Sequence, residues 1–306
     1  MTTDWCIIVN PCSGKKIYRR HGIKSLQKAL QACNQTSELQ FTQREGHAVE
    51  LVRQAVNRGY KQLIVIGGDG TLNEVINGIF SSDSASPEEI VVAAIPSGTG
   101  NDWIRQWNIT RKTNLIDYFS FGKRILVDVG VVTEKEGTNR RYFLNALGLG
   151  FDGDVVFRAD RLRTWVGAQS WTYLVSVFLS VFKLHYSHLC IETEKDRIEG
   201  EVLTVCIGNG CYTGGGLMQT PKANPCDGVF DVMLLQRIRL KDIPSLLNAL
   251  LKRKIDTHPA VKTFRSNTVS ISSLQPVRSE TDGVLLTMNY PVEIKLLPQR
   301  IQFLVP

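Results

Sequence analysis

Asp69 sits among three glycines in Gly67-Gly68-Asp69-Gly70-Thr71-Leu72-Asn73-Glu74, directly after the apolar run Leu63-Ile64-Val65-Ile66. Glycines leave a wide space beside the backbone, so amide N–H groups and a helix N-terminus can approach an anion, and phosphate suits that geometry. A carboxylate does not itself attract phosphate. Asp69 therefore serves a metal ion, a water network or the geometry of the turn. The plain alternative is a tight turn whose glycines supply positive φ. The stretch fits neither the Walker pattern nor the dinucleotide fingerprint, so the chemistry of neither carries over to it. Two further runs place small residues at the end of an apolar stretch: Asn10-Pro11-Cys12-Ser13-Gly14-Lys15 and Pro96-Ser97-Gly98-Thr99-Gly100-Asn101-Asp102-Trp103. In the first, amides and the point charge of Lys15 suit phosphate. An ordinary Pro/Gly turn accounts for the same residues.

The elements that must position these runs follow from periodicity. Leu63 to Ile66, a continuous apolar run ended by glycines, reads as a buried strand of a parallel sheet. Leu72, Val75, Ile76, Ile79 and Phe80 then recur at helical spacing. Earlier come a strand at Trp5–Val9, a helix marked by Ile23, Leu26, Leu30 and Cys33, and a strand at Glu38–Thr42. Gly46 opens a helix with Ala48, Leu51, Val52, Ala55 and Val56 on one face, ended by Gly59. Ile90 to Ile95 is a further buried strand. This alternation predicts a doubly wound α/β domain, in which ligands bind outside the carboxyl ends of the strands. The loops Asn10–Lys15, after Thr42, Gly67–Thr71 and Ser97–Asp102 are thus expected on one edge.

From about Asp128 the pattern turns to β. Strands are expected at Val127–Thr133, Tyr142–Leu149, Leu189–Thr193, Arg197–Gly208, Val229–Leu235, Thr268–Ile271, Val284–Met288 and Val292–Leu297, with helices at 170–184 and about 240–253. A mainly β sandwich is the expected second domain. The expected division is 1–127 and 128–291, with the last strand, about 292–306, returning to the first domain.

A chain of 306 residues has room for two domains with their own cores. Hydrophobic content of 43% and charged content of 21% are those of a folded soluble protein. The net charge of +7 favours acidic partners: nucleotides, nucleic acid or an anionic membrane surface. Basic residues are scattered in pairs and one triplet, Lys252-Arg253-Lys254, with no long polybasic tract. Seven cysteines, an odd number without Cys-x-x-Cys spacing, argue for reduced thiols in a cytosolic protein and against a zinc site. No signal peptide is visible ahead of the first strand, and the longest apolar run, Tyr173–Phe182, is too short to span a bilayer.

Taken together, Asn10-Pro-x-Ser-Gly-Lys15, Gly67-Gly-Asp-Gly-Thr-x-Asn-Glu74, Pro96-Ser-Gly-Thr-Gly-Asn-Asp102 and Glu280-Thr-Asp-Gly283 resemble the diacylglycerol kinase catalytic family, in order and spacing across nearly the whole chain. That family includes soluble bacterial lipid kinases, sphingosine kinases and ceramide kinases. The Gly-Gly-Asp-Gly turn alone is shared with NAD kinases and 6-phosphofructokinases. The resemblance implies an NAD kinase-like first domain binding ATP through Asn10, Pro11, Cys12, Ser13, Gly14, Lys15, Thr42, Gly67, Gly68, Asp69, Gly70, Thr71, Leu72, Asn73 and Thr99. By the same resemblance Asp69 organises the phosphates and Mg2+, Asp102 supports that site, and Asp282, from the second domain, is the catalytic base. Phosphoryl transfer to an alcohol needs positioning, a cation over the phosphates and a proton acceptor, which this set supplies. Thr281-Asp282-Gly283 is also a good hairpin turn, and a turn tip can still present a carboxylate. Many relatives carry Asp-Gly-Glu, whereas Val284 follows Gly283 here.

Asn224-Pro225-Cys226-Asp227-Gly228-Val229 resembles the family's structural magnesium loop, which implies the Asp227 carboxylate and the Asn224 and Val229 carbonyls as ligands. An Asp-Gly turn is the alternative. The apolar helix Trp171–Leu184, with Trp171, Tyr173, Leu174, Val177, Phe178, Val181 and Phe182, reads as buried core or as a cover over acyl chains, with Lys183 and Arg158-Ala-Asp-Arg-Leu-Arg163 meeting anionic headgroups. His185 and His188 lack a matching ligand cluster. The expected partners are a membrane lipid substrate and an anionic membrane surface, with no nucleic acid; oligomeric state stays open, a homodimer included. A cytoplasmic protein peripherally attached to the membrane is the corresponding location. The rival readings are an NAD kinase and a nucleotide- or lipid-binding regulator without catalysis, the latter suggested by Val284.

Overall fold

The apolar runs Trp5–Val9, Gln62–Gly67 and Val91–Pro96 are strands buried almost throughout, and they form the middle of a parallel sheet. The computed structural model describes residues 4–14, 16–134, 137, 139–166, 171–181 and 184–306, without the side chains of 16–21, 163–166, 171–174 and 178. Lys15, Phe182 and Lys183 lie outside the described residues. The chain forms two compact units, Met1–Val127 with Gln299–Pro306, and Asp128–Pro298.

The first unit runs β1 (Trp5–Val9), α1 (Lys16–Ala32), β2 (Ser37–Phe41), α2 (His47–Asn57), β3 (Gln62–Gly67), α3 (Asp69–Phe80), β4 (Val91–Pro96), α4 (Asp102–Arg105), α5 (Leu115–Phe121) and the start of β5 (Lys123–Glu134). The sheet order is the C-terminal strand, β4, β3, β1, β2, all parallel. Val9 is in register with Phe41 and Ile66, and Gly67 with Pro96. The strands therefore end level, and the loops after β1, β2, β3 and β4 leave from one edge. Ile7, Ile8, Leu63, Ile64 and Val92 are fully buried and form the floor beneath those loops. Helix α2 lies so close to α3 that a Cβ on Gly78 would stand 2.8 Å from Val52 Cβ. The short helix α5 is not expected from the periodicity.

The second unit continues with the rest of β5, then β6 (Arg140–Phe143), β7 (Ala146–Gly150), α6 (Phe151–Val166), α7 (Trp171–Val181), β8 (Ser187–Glu192) and β9 (Arg197–Gly208). It is completed by β10 (Phe230–Gln236), α8 (Ile243–Leu251), β11 (Val261–Ser266), β12 (Thr268–Ser273), β13 (Ser279–Thr281), β14 (Val284–Leu286) and β15 (Val292–Val305). Strand order is β14-β13-β7-β9-β8-β12-β15, with β10 pairing β9 and β11, and the pairings within this unit are antiparallel. Its core joins Phe143, Leu147, Ile207, Phe230, Val232 and Val269, with the Phe143 and Phe230 rings stacked at 5.8 Å.

Two expectations change, and one helix is added. The single strand at Tyr142–Leu149 is two, β6 and β7, because the amides of Leu144, Asn145 and Ala146 bond a side chain instead of a neighbouring strand. Residues 151–166 form helix α6 although their charges, Asp152, Asp154, Arg158, Asp160 and Arg161, blur the apolar period. The first part of the last strand, Val292–Lys295, pairs with β12 and belongs to the second unit; only Gln299–Pro306 returns. Among the described helices none is long and apolar enough to cross a membrane.

Candidate active site

Three glycine-bearing loops meet at the level end of the first unit's sheet. The Asn10 amide donates to Ile66 O (3.0 Å) and its Nδ2 to Thr71 Oγ1 (2.9 Å), which ties the loop after β1 to the start of α3. Its Oδ1 accepts from Cys12 N (2.9 Å), closing a local turn. A Cβ on Gly14, which has φ +67, would stand 2.0 Å from Ser97 O. A Cβ on Gly98 would stand 2.5 Å from Gly68 Cα, so only glycine permits this approach of the loops after β3 and β4. Ser97 Oγ donates to Ser13 Oγ (3.1 Å). Thr42, buried, donates its amide to Val9 O (2.9 Å) at the same edge. Pro11 is half-buried, and Cys12 and Thr99 are exposed.

Helix α3 begins at Asp69 immediately after β3, and no side chain caps it. Its first amides, from Asp69, Gly70 and Thr71, are the uncapped donors to which an anion is drawn. A small pocket at this point is lined by Gly67, Gly68, Asp69, Leu72, Asn101 and Ile104. Asn73 is fully buried, and its carbonyl O (2.8 Å) and Oδ1 (3.2 Å) accept from Asn77 Nδ2, which shapes α3. Asp69 Oδ1 accepts from Trp103 N (3.2 Å), which docks α4 beside α3. A Cβ on Gly100 would lie 2.9 Å from Asp69 Oδ2 and 3.5 Å from Asp102 Oδ2. The two carboxylates thus face one small space, an arrangement that fits a hard cation with oxygen ligands.

Sequence reasoning missed the groups that surround these loops. Arg105 Nη2 donates to Gly100 O (2.9 Å) and Arg111 Nη2 to Gly98 O (3.5 Å), adding two positive charges beside the loop after β4. Glu74 accepts from Gly46 N and Ala48 N (3.0 Å each) and fixes the start of α2. The signals were two arginines within ten residues of the loop and an acid in the first turns of α3.

In the second unit Asp282 forms the tip of the β13–β14 hairpin. Asp282 (φ +51) and Gly283 (φ +78) are both left-handed between Thr281 and Val284, which pair in register. That is the tight hairpin geometry for which Asp-Gly is the preferred pair. The Asp282 carboxylate accepts three backbone amides: Leu144 N (2.9 Å) at Oδ2, and Asn145 N (2.8 Å) and Ala146 N (3.1 Å) at Oδ1. Below the turn Glu280 is buried and accepts from Gly283 N (2.7 Å). A Cβ on Gly148 would lie 2.7 Å from Glu280 Oε1 and 3.2 Å from Asp152 Oδ2, so these acids share one buried space. Burial pushes the Asp152 carboxyl up to about 6, against hydrogen bonds from Gln219 and Thr204 that lower it. Val284 brings no acid to the turn.

The loop at 224–229 is a turn in which Asp227 N donates to Asn224 O (3.4 Å) and Val229 N to Asp227 Oδ1 (3.3 Å). The Arg265 guanidinium takes the other oxygen, Asp227 Oδ2, and also reaches Asp231 Oδ2 at 3.4 Å. Arg265 stands directly opposite Asp231 in the β10–β11 pair. The Arg265 guanidinium thus holds the Asp227 carboxylate, and Asn224, Asp227 and Val229 are brought together in one turn. Among the described residues no three His, Cys, Asp or Glu side chains gather as a metal cluster.

Helix α7 is partly exposed. Of its described side chains, the buried ones are Ser176 and Ser180, whereas Val177 and Val181 are half-buried and Leu179 is exposed. The apolar side of this stretch is therefore turned at least partly outward. His185 meets Asp154 (3.6 Å), which also binds Arg278.

The comparisons with known proteins agree with this geometry. Residues 4–132 match the diacylglycerol kinase catalytic domain, and residues 145–305 match the YegS C-terminal NAD kinase beta sandwich-like domain. A curated protein of Staphylococcus carnosus named diacylglycerol kinase is 30% identical over 279 residues, which span 90% of this chain and 87% of that one. A Staphylococcus aureus protein of the same name is 29% identical, spanning 90% of this chain and 84% of that one. A solved structure of a diacylglycerol kinase from Bacillus anthracis covers 99% of this chain and 97% of that one with a TM-score of 0.75; at 19% identity it speaks for the fold. Matching domains over both units, a relative at this identity across most of both chains, and glycine loops in register at one sheet edge lead to one conclusion: the chain belongs to the diacylglycerol kinase catalytic family.

Proposed function

We propose that this chain is an ATP-dependent lipid kinase that transfers the γ-phosphate to the hydroxyl of a membrane lipid, with diacylglycerol as acceptor and phosphatidic acid as product. The observation that carries the reading is the convergence of the loops after β1, β3 and β4 at glycine-only distances around the uncapped start of α3. Amides of 10–14 and 67–71, with Thr42 and Thr99 at the rim, hold the triphosphate, and Arg105 and Arg111 add charge beside it. Asp69 and Asp102 would hold Mg2+, which when bound offsets charge on the phosphates. The lipid oxygen bonds to the γ-phosphorus as the bond to the ADP oxygen breaks, and Asp282 takes the hydroxyl proton. The three amides on its carboxylate keep it in one orientation for that role.

The test is transfer of label from γ-labelled ATP with Mg2+ to a panel of lipids in anionic vesicles, with NAD and the Asp282→Asn protein in parallel. Diacylglycerol should be labelled, and the variant should lose about 10²- to 10⁴-fold in rate. Its thermal midpoint, measured alongside, separates loss of a base from loss of the turn. A variant that unfolds like the parent and still turns over removes Asp282 as base. Label on NAD alone overturns the lipid reading. ATP binding with no label anywhere leaves a regulator, and makes Val284 the first residue to replace.

A further inference from the structure

Helix α8, Ile243-Pro244-Ser245-Leu246-Leu247-Asn248-Ala249-Leu250-Leu251, contains no charged residue, yet only Leu246 is buried. Leu246 packs with Leu203, Met233 and Ile255, and Ala249 and Leu250 lie partly against the same cluster. The opposite face is thereby fixed. Pro244, Leu247, Asn248 and Leu251 recur along it at the spacing of one helix stripe. Leu251 is 68% exposed, and Leu240, just before the helix, is 75% exposed. A helix face turned to water ordinarily carries charge; this one carries none, and two of its four residues are leucines.

Its ends are basic. Lys241 precedes the helix and Lys252-Arg253-Lys254 follows it, all exposed. Arg253 lies over the Tyr212 ring at 6.0 Å. The nearby acids are already taken: Arg239 binds Asp242 (3.0 Å), Arg237 binds Glu201 (2.7 Å) and Lys222 binds Asp256 (2.9 Å). Among the described residues Lys241, Lys252 and Lys254 make no ion pair, so the apolar stripe has a positively charged rim.

We propose that α8 and its flanking lysines form a membrane-docking surface, which sets Leu240, Leu247 and Leu251 at the boundary between headgroups and acyl chains of an anionic bilayer. Apolar side chains between unpaired cations match such an interface in both hydrophobicity and sign. The surface deepens the lipid-kinase reading by supplying contact with the membrane that holds the acceptor, and it is separate from the residues assigned to transfer.

The test is flotation of the full chain with vesicles of phosphatidylcholine containing phosphatidylglycerol, against phosphatidylcholine alone. The unaltered chain should bind the anionic vesicles and lose binding in high salt. Replacing Lys241, Lys252 and Lys254 by Gln should weaken binding about 100-fold. Leu240→Gln with Leu251→Gln should weaken it at least about tenfold, since both side chains leave the acyl boundary. Both sets lie on exposed positions, so thermal midpoints should match the parent. Transfer to a dispersed short-chain diacylglycerol should be unchanged in both, which keeps docking distinct from chemistry. Variants that bind as the parent does, or a parent that ignores anionic vesicles, overturn the proposal. If no lipid is labelled by any protein but the variants still lose vesicle binding, the docking surface stands and the kinase reading falls.

Discussion

Asp152 is a carboxylic acid whose environment works against its charge. It is buried beside Glu280 near Gly148, and burial raises it from 3.8 to about 6. The folded chain thus holds this proton more tightly than the unfolded chain does. Its contribution to stability is complete below pH 3.8 and is lost as pH rises through about 6. Asp152→Asn keeps the shape and removes the charge. Gln219 Oε1, buried and without a partner among the described residues, can accept from the new amide once the Gln219 amide turns over. The variant should be more stable than the parent at pH 8 by on the order of 2–3 kcal/mol, and similar to it near pH 4. Urea unfolding at the two pH values checks this, and parallel profiles would assign the pH dependence to other groups. Asp282 differs in kind. Its oxygens accept three backbone amides, which makes it both a brace for the break between β6 and β7 and the carboxylate presented at the turn.

At the scale of elements, the site depends on how closely backbones pass. Gly98→Ala would place a methyl 2.5 Å from Gly68 Cα, and a backbone cannot step aside as a flexible side chain can. The loops after β3 and β4 must separate, so ATP affinity should fall at least about tenfold, with a stability loss of about 1–3 kcal/mol. Gly22→Ala is the contrasting case. Gly22 lies within α1 with open space around it, and alanine there should stabilise by about 0.5–1 kcal/mol with ATP affinity unchanged. Calorimetric titration and thermal unfolding of both proteins test the distinction; equal effects on ATP binding would refute the close-approach account. The same contrast explains what could be read in advance. Strand, glycine turn and helix around Asp69 are legible because period and turn chemistry are local. The break at Leu144–Ala146 is not, because its cause, Asp282, stands 138 residues from Leu144. Arg105 and Arg111 were missed because folding back onto a loop leaves no periodic trace. Helix α7 leaves two readings open because its inward positions, Ser176 and Ser180, are small hydroxyls that set no apolar stripe.

At the scale of the whole molecule, the chain leaves its first unit at Val127 and comes back with Gln299–Pro306, so the first unit is built from two stretches far apart in sequence. The returning segment pairs with β4, Gln302 with Val91 and Phe303 with Val92, and Tyr118 Oη donates to Leu304 O at 2.8 Å. Phe303 is fully buried and meets the Trp103 ring edge-on at 5.6 Å and the Trp107 ring at 6.4 Å. Trp103 follows Asp102 in α4 and gives its amide to Asp69, so Phe303 supports the proposed nucleotide site from the core side. Phe303→Ala should cost about 3–5 kcal/mol, the usual loss for an aromatic truncated in a packed core. Because the ring touches two tryptophans, their fluorescence should report a lower unfolding midpoint. ATP affinity should weaken as α4 loses its backing. Adding saturating ATP should restore part of that midpoint, since binding to the native state alone shifts the equilibrium toward it. A variant with the parent's tryptophan midpoint but weakened ATP binding would show that the returning strand acts on the site without carrying the core. A lowered midpoint with unchanged affinity would show the reverse, that α4 holds Asp102 in place without Phe303 behind it.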